Sequence, residues 1–123
     1  MLKVLIIDDD KLIRWSLKEI LTQDGHHVDT VSNVNDAFRQ TENFRYELIF
    51  ADFEIEDETC IDMLKKIQKS HPETQIIILS AQSQRQIEPQ IEGVSVRAII
   101  EKPFDSGQIR ALSQGIQDKN IKG

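Results

Sequence analysis

Five short apolar runs punctuate the chain, at residues 4–7, 28–31, 48–51, 76–79 and 98–100. Their length and β-branched character suit strands buried in a sheet. Between them the apolar positions spread out to helical spacing. Ile13, Leu17, Ile20 and Leu21 share one stripe over 11–24, with Asp10 placed to cap the first free amides and Gly25 where the helix should stop. Similar patterns predict helices over 34–41 through Ala37 and Phe38, over 61–70 through Leu64 and Ile67, and over 106–117 through Ile109, Leu112 and Ile116. The segment 83–92 is weaker, because Pro89 has no amide hydrogen to give and would break its middle. A short or irregular helix is expected there.

Strands and helices in strict alternation predict an α/β fold, with a parallel sheet covered on both faces. For a doubly wound sheet of this size the expected arrangement is flavodoxin-like, five strands in the order 2-1-3-4-5. Residues 1–117 read as one domain, and 118–123 as a polar tail or linker stub that looks disordered.

Composition narrows the partners. The 123 residues carry 21 acidic and 15 basic side chains, a formal charge of −6. Phosphate backbones and anionic lipid are repelled overall, so direct nucleic-acid binding and membrane association are not expected. Cys60 is the single cysteine, which excludes an internal disulfide and fits a reducing compartment, with cytoplasm as the default. The opening run MLKVLIIDDD meets three carboxylates too early for a signal-peptide core or a membrane helix.

Ligands of an open parallel sheet bind beyond the carboxyl ends of its strands, near the point where the winding reverses. That rule selects Asp8, Asp9 and Asp10 after the first strand, Asp52 after the third, Ser80 after the fourth and Lys102 with Pro103 after the fifth. The first and third strands would be neighbours, so their carboxylates would converge. Crowded carboxylates repel unless a cation neutralises them, and an oxygen-only cluster suits Mg²⁺. With a hydroxyl and an ammonium added, the set is a phosphoryl-transfer constellation. Asp52 would be the nucleophile, and Lys102 and Ser80 would hold the phosphoryl oxygens.

Four elements in this order, LIIDDD, the strand-terminal Asp of LIFADF, the strand-terminal Ser of IIILSA, and EKPF, resemble the receiver domain of two-component response regulators along essentially the whole chain. The segment DDDKLIRWSL is also similar to receivers that precede enhancer-binding transcription activators. The resemblance implies that Asp52 accepts a phosphoryl group from a sensor histidine kinase or a phosphotransfer protein. It implies Mg²⁺ held by Asp9, Asp52 and the backbone carbonyl of Glu54, with Asp8 acting through water. Ser80 would be the switch hydroxyl, and the bond from Lys102 to Pro103 would be cis. The output face would be formed by helix 4, strand 5 and helix 5, a possible homodimer surface. The sequence departs from the family at Glu56 and Cys60, where a proline and a glycine are usual, at Ser95 in place of a glycine, and at Ile99 in place of the switch aromatic.

Plainer roles are assigned elsewhere. Asp10 is read as a helix cap, Glu56, Asp57 and Glu58 as a solvated loop, and Cys60 as a small, partly buried residue. His26, His27 and His71 stand beside turns without metal spacing. Leu12 and Trp15 lie off the core stripe of helix 1 and either pack under a neighbouring helix or offer a docking surface. Two other functions stand beside the receiver. One is a phosphorylation-independent pseudo-receiver. The other is a haloacid-dehalogenase-like phosphatase, which would leave Asp52 unexplained and finds Leu12 where it needs Thr or Val.

Overall fold

Successive side chains of a strand point to opposite faces, so a strand covered on both sides must be apolar throughout. The computed structural model, which describes residues 1–55 and 60–122 with side chains through residue 119, places such strands at the centre of its sheet. The strands are β1 (Lys3–Ile7), β2 (His27–Val31), β3 (Leu48–Asp52), β4 (Gln75–Ser80) and β5 (Ala98–Glu101), all parallel, in the order β2-β1-β3-β4-β5. The helices are α1 (Lys11–Gln23), α2 (Val34–Asn43), α3 (Cys60–Ser70), α4 (Gln84–Ile87) and α5 (Ser106–Lys122), with a 3₁₀ turn at Glu88–Gln90.

Alternation divides the core in two. Leu5, Ile7, Ile49, Ala51, Ile76 and Ile78 face α2 and α3, where Ala37, Met63, Leu64 and Ile67 meet them. Val4, Ile6, Phe50, Ile77, Leu79 and Ile100 face α1 and α5, where Leu17, Leu21, Ile109 and Ile116 close the other layer. Phe50 is fully buried, and truncating such a ring to alanine costs about 3–5 kcal/mol.

The ends of α1 are set by local chemistry. Asp10 Oδ1 accepts the amides of Leu12 at 2.9 Å and Ile13 at 3.3 Å. At the other end Gly25 turns into positive φ, at 86°, and the amides of Gly25 and His26 bond back to Thr22 and Leu21. This is the paired closure that a left-handed glycine permits.

Two elements differ from the sequence reading. The segment 83–92 shortens to one α-turn and one 3₁₀ turn around Pro89, the irregularity that proline predicts. At the C-terminus α5 runs on through Lys122, where a disordered tail from residue 118 was expected. No glycine or proline interrupts 116–122, and Gln114 bonds Asp118 one turn on at 2.8 Å, so the helix continues after its apolar stripe has ended. The solvated-loop reading of Glu56, Asp57 and Glu58 lies outside the described residues.

Candidate functional site

Parallel strands deliver their carboxyl ends to one edge, and there β1, β3, β4 and β5 release Asp8, Asp52, Ser80 and Lys102 side by side. Asp8 is fully buried, and its Oδ1 accepts the amide of Asp10 at 2.9 Å. Asp52 is 3% exposed as the last residue of β3, and its Oδ1 accepts the amide of Glu54 at 3.1 Å. Lys102 brings its ammonium to 3.1 Å from Asp52 Oδ1 and 3.2 Å from Asp8 Oδ2. Asp9 is exposed at the mouth, yet Asp8, Asp9 and Asp52 each offer a carboxylate oxygen within 4.8 Å of the others.

These groups reshape one another's acidity. Burial, reinforced by the charge of Asp8, pushes the Asp52 carboxyl up to about 6, against the opposing pull of Lys102 and the Glu54 amide. Burial alone would draw Lys102 down, but Asp52 and Asp8 outweigh it and hold the ammonium above its ordinary value. Asp8 Oδ2 has the ion pair with Lys102 but no aligned hydrogen-bond donor, and among the described residues it is the one buried side-chain oxygen left so. Three carboxylates drawn together, with one ammonium on two of them and an oxygen lacking a donor, are a donor set that a hard divalent cation completes. Mg²⁺ therefore fits.

The end of β4 carries a second constellation. Ser80 is fully buried, its Oγ accepting the amide of Gln82 at 2.9 Å and donating to Glu54 Oε2 at 2.6 Å. The amide of Ala81 donates to Glu54 Oε1 at 2.8 Å. Sequence reading assigned Glu54 only a backbone carbonyl. Its side-chain role depends on a loop after β3 meeting the end of β4, which no spacing along the chain reveals.

Ile99 sits half-buried in β5, opposite Ile78, and the Lys102–Pro103 peptide bond is cis. Leu12 and Trp15 stand exposed on α1, so the alternative of packing under a neighbouring helix does not hold. Cys60 is buried rather than partly so, and burial, followed by the charges of Asp52 and Glu54, pushes its thiol up to about 12, which suppresses the reactive thiolate. His26 was passed over as a turn residue. It is buried, takes the amide of Leu2 on Nδ1 at 3.0 Å, and is held below its ordinary pKa first by burial and then by the N-terminal charge.

A parallel sheet in the order 2-1-3-4-5 with an acidic pocket and a lysine at its carboxyl edge defines a class of signalling domain, and the comparisons agree. The chain matches the profile of the response regulator receiver domain over residues 4–114, and it belongs to that family. It is 28% identical over 117 residues to the DNA-binding transcriptional regulator NtrC of Azospirillum brasilense, covering 95% of this chain but 24% of that protein. It is also 28% identical over 108 residues to the chemotaxis protein CheY of Thermotoga maritima, covering 87% of this chain and 90% of the relative. Among solved structures, a two-component response regulator from Clostridium difficile superposes with a TM-score of 0.89 at 24% identity, covering 96% of this chain and 97% of that one. The chain thus spans about a quarter of the NtrC relative and nearly the whole of a CheY. Among the described residues no helix is long and apolar enough to cross a membrane.

Proposed function

We propose that this receiver is a phosphoacceptor, loaded on Asp52 by a sensor histidine kinase or a phosphotransfer protein, and that residues 1–117 form the receiver unit. The observation that carries the reading is the clustering of three carboxylates, Asp8, Asp9 and Asp52, with the Lys102 ammonium on two of them, 3.1 Å from Asp52 Oδ1 and 3.2 Å from Asp8 Oδ2. In the transfer an Asp52 carboxylate oxygen attacks phosphorus. The O–P bond forms as the P–N bond of the donor phosphohistidine breaks, and the electron pair returns to the imidazole nitrogen, which takes a proton. Lys102 stabilises charge on the phosphoryl oxygens, and the Ser80 hydroxyl lies one strand away.

Asp9, Asp52 and the Glu54 carbonyl would hold Mg²⁺, with Asp8 acting through water. Bound there, the ion supplies charge neutralisation for an anionic donor entering an acidic pocket. The surface of α4, β5 and α5 is read as the output face and a possible homodimer contact. With Cys60 as its single cysteine the chain is read as cytoplasmic, and with a formal charge of −6 it is read as making no direct contact with DNA. NtrC is called a DNA-binding regulator in its own name, and this chain spans only its receiver-sized quarter.

The test is intact-mass measurement after incubation with acetyl phosphate and Mg²⁺. One added phosphoryl group is expected, and Asp52→Asn or chelation should abolish it. Unchanged mass under conditions that load another receiver would favour the pseudo-receiver.

A further inference from the structure

At the end of β4 two donors aim at one anion. The Ser80 hydroxyl reaches Glu54 Oε2 at 2.6 Å and the Ala81 amide reaches Oε1 at 2.8 Å, so each carboxylate oxygen has its own donor. Neither donor is free to turn away. Ser80 is buried with its oxygen already accepting the Gln82 amide, and the Ala81 amide is fixed by the backbone. An O–H and an N–H converging in this way form a preorganised oxyanion seat. Its location is also fixed, since Asp52 is in register with Leu79 across β3 and β4, and Ser80 and Ala81 are the next two residues. Adjacent strands lie about 4.8 Å apart, so the backbone that carries the seat runs one strand spacing from that of Asp52.

Two oxygens of a phosphoryl group present the same pair of acceptors as a carboxylate. We propose that Glu54 occupies the phosphoryl seat of this receiver and must leave it before Asp52 can be loaded, so that Glu54 sets the loading rate. The inference rests on the phosphoacceptor reading above. Glu54 is anchored only two residues from Asp52, and a group tethered so closely competes at an effective concentration that a free donor does not match. The residue is otherwise exposed, and these two charge-assisted hydrogen bonds offset the entropy lost in ordering its long side chain.

The experiment separates occupancy of the seat from general charge repulsion by comparing Glu54→Ala with Glu54→Asp. The aspartate keeps the charge but is one methylene too short to span both donors. Amide spectra recorded without donor or metal should show the Ala81 proton moved upfield in both variants, as its charged acceptor is withdrawn. Initial loading by acetyl phosphate with Mg²⁺ should then rise at least about tenfold in both, the scale of losing even one of the two hydrogen bonds. Acceleration in Glu54→Ala alone would assign the effect to charge and overturn the proposal. An unmoved Ala81 proton, or equal non-zero rates in all three proteins, would overturn it as well. No loading in any of them would remove the phosphoacceptor reading, and this proposal with it.

Discussion

Asp52 bears an electrostatic cost that the fold accepts for the sake of the site. Its carboxyl is pushed up to about 6, by burial first and by Asp8 next, whereas an unfolded aspartate titrates near 3.9. A raised carboxyl pKa means that the folded state disfavours the ionised form. The stability tied to this group is therefore complete below about pH 4 and is lost as pH rises through about 6. Asp52→Asn carries no such loss. We predict that in denaturant unfolding at pH 7.5 it is more stable than the parent by an amount on the order of 1 kcal/mol, with the gap closing toward pH 4. A gap independent of pH would show that the cost is not ionisation. The neighbouring aspartates divide along a different line. Asp10 caps α1 through two amides, so Asp10→Ala should cost about 1 kcal/mol in denaturant unfolding while leaving a Mg²⁺ titration unchanged. Asp9 is exposed and bears on the carboxylate cluster, so Asp9→Ala should reverse that pattern. Equal losses of metal affinity in the two variants would overturn the division.

At the scale of elements, strands were easier to read than the contacts between them. Each β-branched run carries its own signal, and the Asp10 cap and the Pro89 break are local events that a sequence states directly. The Glu54 side chain and the buried His26 acquire their roles from segments distant along the chain, at Ser80 and Leu2. No periodicity announces those contacts. The last five residues of α5, 118–122, escape the sequence reading for a further reason: its apolar stripe ends at Ile116, and hydrophobic spacing marks only the part of a helix that packs. One element predicts its own behaviour. α4 is a single turn held by the Ser83 and Gln86 capping box and followed by a 3₁₀ turn, so it resists displacement weakly. Ile99 has no ring to reorient, and its β-branched side chain is stiff at χ1. Beryllofluoride, standing in for a phosphoryl group on Asp52, should therefore perturb amides over 82–93 more than those around Ile99. Large changes centred on β5 and α5, with α4 silent, would show that the signal leaves by another route.

Across the whole molecule, the sheet's topology gathers like charges at one edge, and the fold holds them there with a single ammonium, Lys102, at 3.1 and 3.2 Å from two of the carboxylates. A cation that binds this edge in the native state, where topology has assembled it, and not in the unfolded chain must stabilise the fold by mass action. At ten times its dissociation constant the gain is about 1.4 kcal/mol, which for a domain of this size is a rise in Tm of about 4–6 °C. Mg²⁺ should give that rise over NaCl of equal ionic strength, because general screening acts on all exposed charges alike. Asp9→Asn should remove most of it while leaving the metal-free Tm nearly unchanged, since Asp9 is exposed and buries nothing. The increment should also depend on pH in a defined sense. The metal requires ionised carboxylates, and Asp52 takes up its proton as pH falls through about 6. The rise should therefore be larger at pH 7.5 than at pH 5, where the ion competes with that proton. A Tm increment that is the same at both pH values, or that survives in Asp9→Asn, would place the ion somewhere other than this carboxylate edge.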